Sequence, residues 1–422
     1  MKKIVFIGVC ASLAGGVFAQ SGSKELRNAY NHYGNEYYDK AKSAIDKCIE
    51  FEDTKADAKT WFYRGNIYVM LEVEKTKRDS NLYKKFENCG EIAYDSYIQA
   101  FNLDPKVEVP NMNIKNIQQG LTFCSNILVR DAYKSMREKN YDLMYQLANK
   151  AFKANGENPD AIYCLGLSSE LLNKKNDAKS YYLELVKRQE RNMHPYIRLA
   201  DIYRNEEDVP NAVKTIEAGF TFFLNDSVKE PKSAKKSSDR DDKGKNKESR
   251  DTFLVDYAEA YSIVMMWAGR NEDAREIMDK ALQKDPNNYT LLINYGSQLL
   301  DNLKLYDEAA VYFKRALDLK PDDILANFNT SSCYYNNYID KNKKANEEDD
   351  PGKSAILKAE AESILQKARP YLEKTHELDP KDINTLRMLA HVYLQGEEMD
   401  KFKEVDEKLK VLRGEATPRK GR

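Results

Sequence analysis

The stretch YDEAAVYFKRALDLKPDD, Tyr306 to Asp323, decides the fold, because its pattern returns elsewhere at the same internal spacing. Ala309, Phe313 and Ala316 stand at i, i+4 and i+7, one face of a helix, and Pro321 follows. Ala93, Tyr97 and Ala100 stand likewise before Pro105, Ala274, Met278 and Ala281 before Pro286, and Ala368, Leu372 and Thr375 before Pro380. Small residues let a neighbouring helix approach and the bulky one fills the groove between them. Proline has no N–H to continue the ladder, so the helix stops. The pattern predicts a buried helix with a built-in stop.

A second pattern lies upstream, in WFYRGNIY (Trp61 to Tyr68), YCLGLSS (Tyr163 to Ser169), IRLADIY (Ile197 to Tyr203) and MLAHVY (Met388 to Tyr393). A large residue, then Gly or Ala, then an aromatic or small residue three later marks a helix face with one point of close contact. Each unit therefore reads as a helical hairpin. Together the two patterns resemble the tetratricopeptide repeat, whose period is about 34 residues and whose signature is W-x2-L-G-x2-Y…A-x3-F…P. Trp61, Gly65, Tyr68, Ala93, Tyr97 and Pro105 match it around an insertion; Gly166, Ala178 and Tyr182, and Leu199, Ala200, Tyr203 and Ala212, match in register. Gly296 departs by one residue in the turn, and Met144 and Phe402 stand where alanine is expected. The resemblance implies an all-α fold, a right-handed α-solenoid of about nine hairpins from roughly Ser23 to Leu412.

Composition agrees. The chain has 422 residues, 41% of them apolar, which is enough to bury a large core. Lys and Arg total 67 against 68 Asp and Glu, so no long-range field gathers a polyanion and nucleic acid is not an expected partner.

The first residues read as a signal peptide, 1–19. MKK is a basic n-region, IVFIGVCASLAGG an apolar run too short to span a bilayer, and VFA places small residues at the cleavage site before Gln20. Lipidation at Cys10 is disfavoured because Val9 stands where a small residue is wanted. The mature chain is then expected to be exported without a transmembrane span, to the periplasm or else to the outer membrane or the medium. In an oxidising compartment the remaining cysteines, Cys48, Cys89, Cys124, Cys164 and Cys333, are odd in number and show no paired spacing. They read as packing residues.

No catalytic constellation is present. The sequence has no G-x-S-x-G, H-E-x-x-H, Walker-type or G-x-G-x-x-G motif, and His32, His194, His376 and His391 lie in different units without ligand spacing. The expectation is a non-enzyme with no cofactor and no metal.

Three polar interruptions punctuate the repeats. The spacing from Gly65 to Ala93 exceeds that from Gly166 to Ala178, and the charged residues between suggest longer helices. Asp226 to Asp251 carries nearly balanced charge and almost nothing apolar, which predicts a disordered linker. Asp340 to Ser354 is similarly polar, with Pro351 and Gly352 as breakers. The expected organisation is a signal peptide, an N-terminal array over 20–225, a linker over 226–251, a C-terminal array over 252–413 and a basic tail over 414–422.

The resemblance also implies where partners dock, since the first helix of each hairpin lines the concave side of such arrays. By register these positions are Tyr163, Leu167 and Leu171; Ile197, Asp201 and Arg204; Ile263, Met266 and Trp267; Ile293, Ser297 and Leu300; Asn329, Cys333, Asn336 and Asn337; Arg387 and His391. Most apolar residues on such stripes are core, and Trp267 is the one whose position the repeat does not require to be aromatic. The Lys and Asn array by which related repeats hold acidic chaperone tails is absent. Function is accordingly expected to be a scaffold or adaptor for an envelope protein or peptide, similar in composition to repeat proteins of the Bacteroidetes envelope. The competing expectation is a glycan-capture component of an outer-membrane uptake system.

Overall fold

Each repeat ends and restarts within one short turn, and the chemistry of that turn shapes the fold. The helices before Pro105, Pro286, Pro321 and Pro380 end at Leu103, Lys284, Leu319 and Leu378. The residue just before each proline is driven out of the helical region by the proline ring: Asp104, Asp285, Lys320 and Asp379 have φ of −150, −131, −140 and −133°. Two residues past three of these prolines an acceptor side chain caps the next helix. Asn288 accepts from the backbone N–H of Leu291 at 3.1 Å, Asp323 from Ala326 at 2.8 Å and Asp382 from Thr385 at 2.6 Å.

The computed structural model describes the backbone of residues 10–76, 83–109, 112–190, 192–225 and 242–414, with the side chains of 10–21, 223–225 and 242–251 left aside. All the described elements are helices. They form the hairpins α1 (Cys10–Gly34) with α2 (Tyr38–Cys48), α4 (Ala58–Lys75) with α5 (Cys89–Leu103), α6 (Ile117–Arg137) with α7 (Tyr141–Ala154), and α8 (Pro159–Leu171) with α9 (Lys175–Lys187). The short α3 (Glu52–Lys55) joins the first two hairpins. Next come α10 (His194–Asn205) and α11 (Val209–Asn225), then α12 (Asp242–Trp267) with α13 (Asn271–Lys284), α14 (Tyr289–Asp301) with α15 (Tyr306–Leu319), α16 (Ile324–Glu347) with α17 (Pro351–Leu378), and α18 (Ile383–Gln395) with α19 (Met399–Leu412). The chain forms two compact units, Met1–Ile202 and Tyr203–Arg422, and each is a stack of helical hairpins.

Within a hairpin the repeat signature is a glycine facing a ring. A Cβ on Gly65 would lie 2.8 Å from the ring of Tyr97, one on Gly166 2.6 Å from Tyr182, and one on Gly296 2.8 Å from Phe313. These three rings are fully buried, as are Ala93, Ala178 and Ala309 one turn before them. The extra residue between Gly296 and Ala309 is absorbed in the turn, where Lys304 takes a left-handed φ of 56°, so the glycine still meets its ring.

The interruptions differ from expectation. Asp340–Ser354 is not a polar loop: α16 is 24 and α17 28 residues long, and only 348–350 separate them. Pro351 does not break α17 because it occupies the first turn, where no N–H is needed, and Asp350 caps Gly352 and Lys353. Lys341 pairs with Glu360 across the two helices, Ser354 donates to the carbonyl of Ala345 at 2.7 Å, and Ala345 is fully buried. The insertion after Gly65 lengthens α4 to 18 residues and leaves α5 at 15; Tyr83–Asn88 is non-helical and 77–82 lies outside the described residues. Of the expected linker, 226–241 lies outside the described residues and α12 already runs from Asp242. Residues 1–9 of the expected signal peptide and 415–422 of the basic tail also lie outside them.

Cys48, Cys89, Cys124, Cys164 and Cys333 are free and buried, as packing residues are. Burial pushes the thiols of Cys48, Cys164 and Cys333 up to about 12 and that of Cys89 to about 11. Among the described residues no helix is long and apolar enough to cross a membrane.

Candidate functional site

In the C-terminal unit the first helices of successive hairpins lie side by side and bond to one another. Between α12 and α14, Asn294 donates to Glu259 at 2.7 Å, Gln298 to the Ser262 hydroxyl at 2.9 Å, and Asn302 to the sulfur of Met266 at 3.5 Å. α14 packs on α16 in turn. Between α16 and α18 the His391 ring hydrogen-bonds two tyrosine hydroxyls, Tyr335 at 2.8 Å through Nδ1 and Tyr338 at 3.3 Å through Nε2, accepting from one and donating to the other. These contacts define one face that runs across four helices.

Along that face the expected positions divide. Trp267 is 36% exposed at the end of α12, with the half-buried Ile263 one turn before it. Asn329 is half-buried and Asn336 exposed on α16, and Arg387 is exposed on α18, as is Leu394, which was not among the expected positions. Met266, Ile293, Leu300 and Cys333 are buried and serve packing, and Ser297 is half-buried. Asn337 points elsewhere: its amide donates to Asp307 at the start of α15 at 3.1 Å. His391 is engaged by the two tyrosines and bridges α16 to α18.

In the N-terminal unit Tyr163 and Leu167 are buried, Tyr163 with its ring 6.0 Å from Tyr182 and 6.2 Å from His194, while Leu171 is 40% exposed. Both were placed on the docking stripe by register, and both face inward because α8 is apolar on nearly every side. Ile197, Asp201 and Arg204 on α10 are half-buried. Beside them Arg198 pairs with Glu170 at 3.2 Å, and Glu170 also accepts from the Tyr182 hydroxyl at 2.9 Å.

Burial holds the imidazoles of His391 and His376 below their ordinary 6.5, the latter with help from Lys408. Between the lowered folded value and 6.5 the unfolded chain binds more protons, so stability rises with pH through that window and is lost as pH falls below about 6.5. Thermal melts at pH 7.5 and 5.5 are therefore expected to show a lower melting temperature at 5.5. The difference should shrink in His391→Gln, and an equal difference in both proteins would remove His391 as a cause.

The repeat pattern does not announce the connection 104–116 between α5 and α6, of which 104–109 and 112–116 are described. Its apolar residues Val107, Val109, Met112 and Ile114 are buried, the amide of Asn66 donates to the Ile114 carbonyl at 3.0 Å, and the Tyr97 hydroxyl donates to Asn66 at 2.6 Å. The alternation of Val107, Val109 and then Met112, Ile114 with polar residues is the signal that could have marked it.

Residues 266–327 match the tetratricopeptide repeat. That span takes in the end of α12, the turn at Gly269, α13, the hairpin of α14 and α15, and the start of α16. Solved structures to which the chain is similar include a tetratricopeptide repeat protein from Parabacteroides merdae, 13% identical over 74% of this chain and 99% of that one, with a TM-score of 0.33. YrrB, a tetratricopeptide repeat protein with an unusual peptide-binding site, is 18% identical over 59% of this chain and 96% of its own, with a TM-score of 0.33. Acl4, the assembly chaperone of RpL4, is 13% identical over 66% and 99%, with a TM-score of 0.38. No curated protein matches the chain.

Proposed function

We propose that the chain is a non-catalytic scaffold of the bacterial cell envelope that binds a partner protein or peptide on the face of its first helices. The observation that carries this reading is the face across α12, α14, α16 and α18, where side-chain bonds hold the helices in register. Trp267, Asn336, Arg387 and Leu394 stay open on it. An exposed tryptophan on a face that also carries amide side chains suits a peptide, whose side chains need an apolar anchor and whose backbone needs donors and acceptors. The repeat match over 266–327 begins at this same edge. Export follows from the n-region, the short apolar run and the cleavage site after Ala19, and N-terminal sequencing that began at Met1 or found a lipidated Cys10 would remove that part.

A photo-crosslinking residue at position 267 in the cell is expected to capture a discrete partner, whereas one at Val311, exposed on the second helix α15, captures none. Trp267→Ala should weaken that partner's binding by about 2 kcal/mol or more. Because Trp267 is open to solvent, its melting temperature should change far less than burial of a large aromatic would imply. Equal cross-linking at both positions, or a strongly lowered melting temperature with binding intact, would place the partner elsewhere.

A further inference from the structure

The first helices of the C-terminal unit are nearly free of charge, in a chain of which 32% of residues are charged. The half of α16 from Ile324 to Ile339 has no charged side chain, and α14 has Asp301 alone. α18 has Arg387 alone besides the imidazole of His391, while the second helices α13, α15 and α19 carry charges of both signs. On α16 Ala326, Thr330, Cys333 and Tyr338 are buried in the stack. Leu325, Phe328, Ser332, Tyr335, Asn336 and Ile339 follow one another at three, seven, ten, eleven and fourteen residues from the first, which places them together on the opposite side of the helix. Leu325 is 53% and Ile339 43% exposed, Asn336 is exposed, and the other three are half-buried.

The hydrogen bond from Tyr335 to His391 at 2.8 Å sets the open side of α18 beside this stripe. There Asn384, Arg387, His391 and Leu394 lie opposite the buried Leu386 and Leu389. Leu394 is 45% exposed, and Arg387 is exposed with no ion pair or hydrogen bond among the described residues. A charged side chain laid on the α16 stripe would lose its water and find no counter-charge, a cost that nothing offsets. Arg387 has the converse requirement. Once covered, its guanidinium needs acceptors, and a carboxylate meets it with paired, charge-assisted bonds. Over α12 and α14 the same carboxylate would face Asp256, Glu259 and Asp301 and be repelled, so its place is at the α18 end.

We propose that the open face of α16 and α18 takes a partner segment that is apolar and uncharged except for one Asp or Glu, whose carboxylate meets Arg387. The proposal rests on the scaffold reading above and adds to it the chemistry of the partner. A basic segment is refused because α16 offers it no acid. A segment with several carboxylates is refused as well, since Arg387 is the one cation that α18 and the 324–339 half of α16 carry.

The test uses the full chain and a display library of random peptides fused at both ends, so that no free terminus adds a charge. Wild type should enrich sequences with large apolar residues, one Asp or Glu, and no Lys or Arg. An enriched peptide, made synthetically, should bind Arg387→Glu at least about tenfold more weakly than wild type, and exchange of its acidic residue for Lys should restore binding to that variant. Leu325→Asp, at a side chain open to solvent, should weaken the same peptide and leave the melting temperature unchanged. Enrichment of Lys- or Arg-bearing sequences, enrichment of nothing, or peptides that bind Arg387→Glu as well as wild type would each overturn the proposal. A dimer in sedimentation that Leu325→Asp dissociates would do the same, because the face would then belong to a second copy. A peptide that needs Trp267 and ignores position 387 would remove this proposal and leave the scaffold reading standing; crosslinks at position 267 judge that reading separately.

Discussion

Tyr97→Ala is expected to destabilise the N-terminal unit by about 3–5 kcal/mol, the loss seen when a buried aromatic is truncated. Tyr97 is fully buried and its ring is held on two sides by glycines: a Cβ on Gly65 would lie 2.8 Å from it and one on Gly120 only 2.2 Å. The ring thus joins α5 to α4 within its hairpin and to α6 of the next. Its edge meets Phe62, centroids 5.7 Å apart, and its hydroxyl satisfies the wholly buried Asn66. Tyr97→Phe keeps the ring and orphans that acceptor, so it should cost less, about 1–3 kcal/mol. Gly65→Ala should be strongly destabilising in wild type and nearly neutral in Tyr97→Ala, since the ring it would strike is gone. Urea denaturation of wild type and the four variants checks the set. A Tyr97→Ala loss of about 0.5 kcal/mol, the size of a surface change, would show that the glycine-and-ring contact does not hold the hairpins.

Leu365→Ala should cost the C-terminal unit about 2–5 kcal/mol. Leu365 is fully buried and belongs to one apolar cluster with Tyr338, Ala361, Leu372, Leu386 and Leu389, where the extended part of α16 and α17 meets the stack. Beyond it toward 348–350 the two helices hold each other through Ala345, Ser354 and the Lys341–Glu360 pair. Hydrogen exchange in this variant is expected to lose protection first over 336–364, while α14 and α15 keep theirs, because a repeat stack transmits stability only between neighbours. Ile356→Ala, at a side chain 61% exposed, should change stability by about 0.5 kcal/mol or less. Uniform loss of protection through the whole unit would mean that its hairpins unfold as one body.

Much of this architecture was legible because its determinants are local. A proline ends a helix whatever surrounds it, and Asn288, Asp323 and Asp382 cap the next helix from two residues beyond. Spacing of Gly and Ala against Tyr and Phe then implies antiparallel hairpins, since only a residue without a side chain admits a ring at 2.6–2.8 Å. The hairpin turns themselves were less legible. Glu36, Lys139, Asn173, Glu207, Lys304 and Glu397 hold left-handed φ near 60° in them, and only Gly269 is the glycine such a conformation favours.

The sequence by itself determined that the chain is a series of helical hairpins, about where each begins and stops, and that its cysteines are packing residues. Only the tertiary structure decided the fate of the polar stretches and the docking stripe. Asp340–Ser354 is helical on both sides of 348–350 because each of α16 and α17 finds its buried partners on the other, a pairing that no window of sequence contains. Tyr163 and Leu167 are core while Trp267 is open, although all three satisfy one helical register, because exposure depends on which neighbour comes to lie against the helix. Asn66 is closed off for the same reason: it and Ile114 meet only in the folded chain, and the free energy of that contact resides in burial between segments distant in sequence.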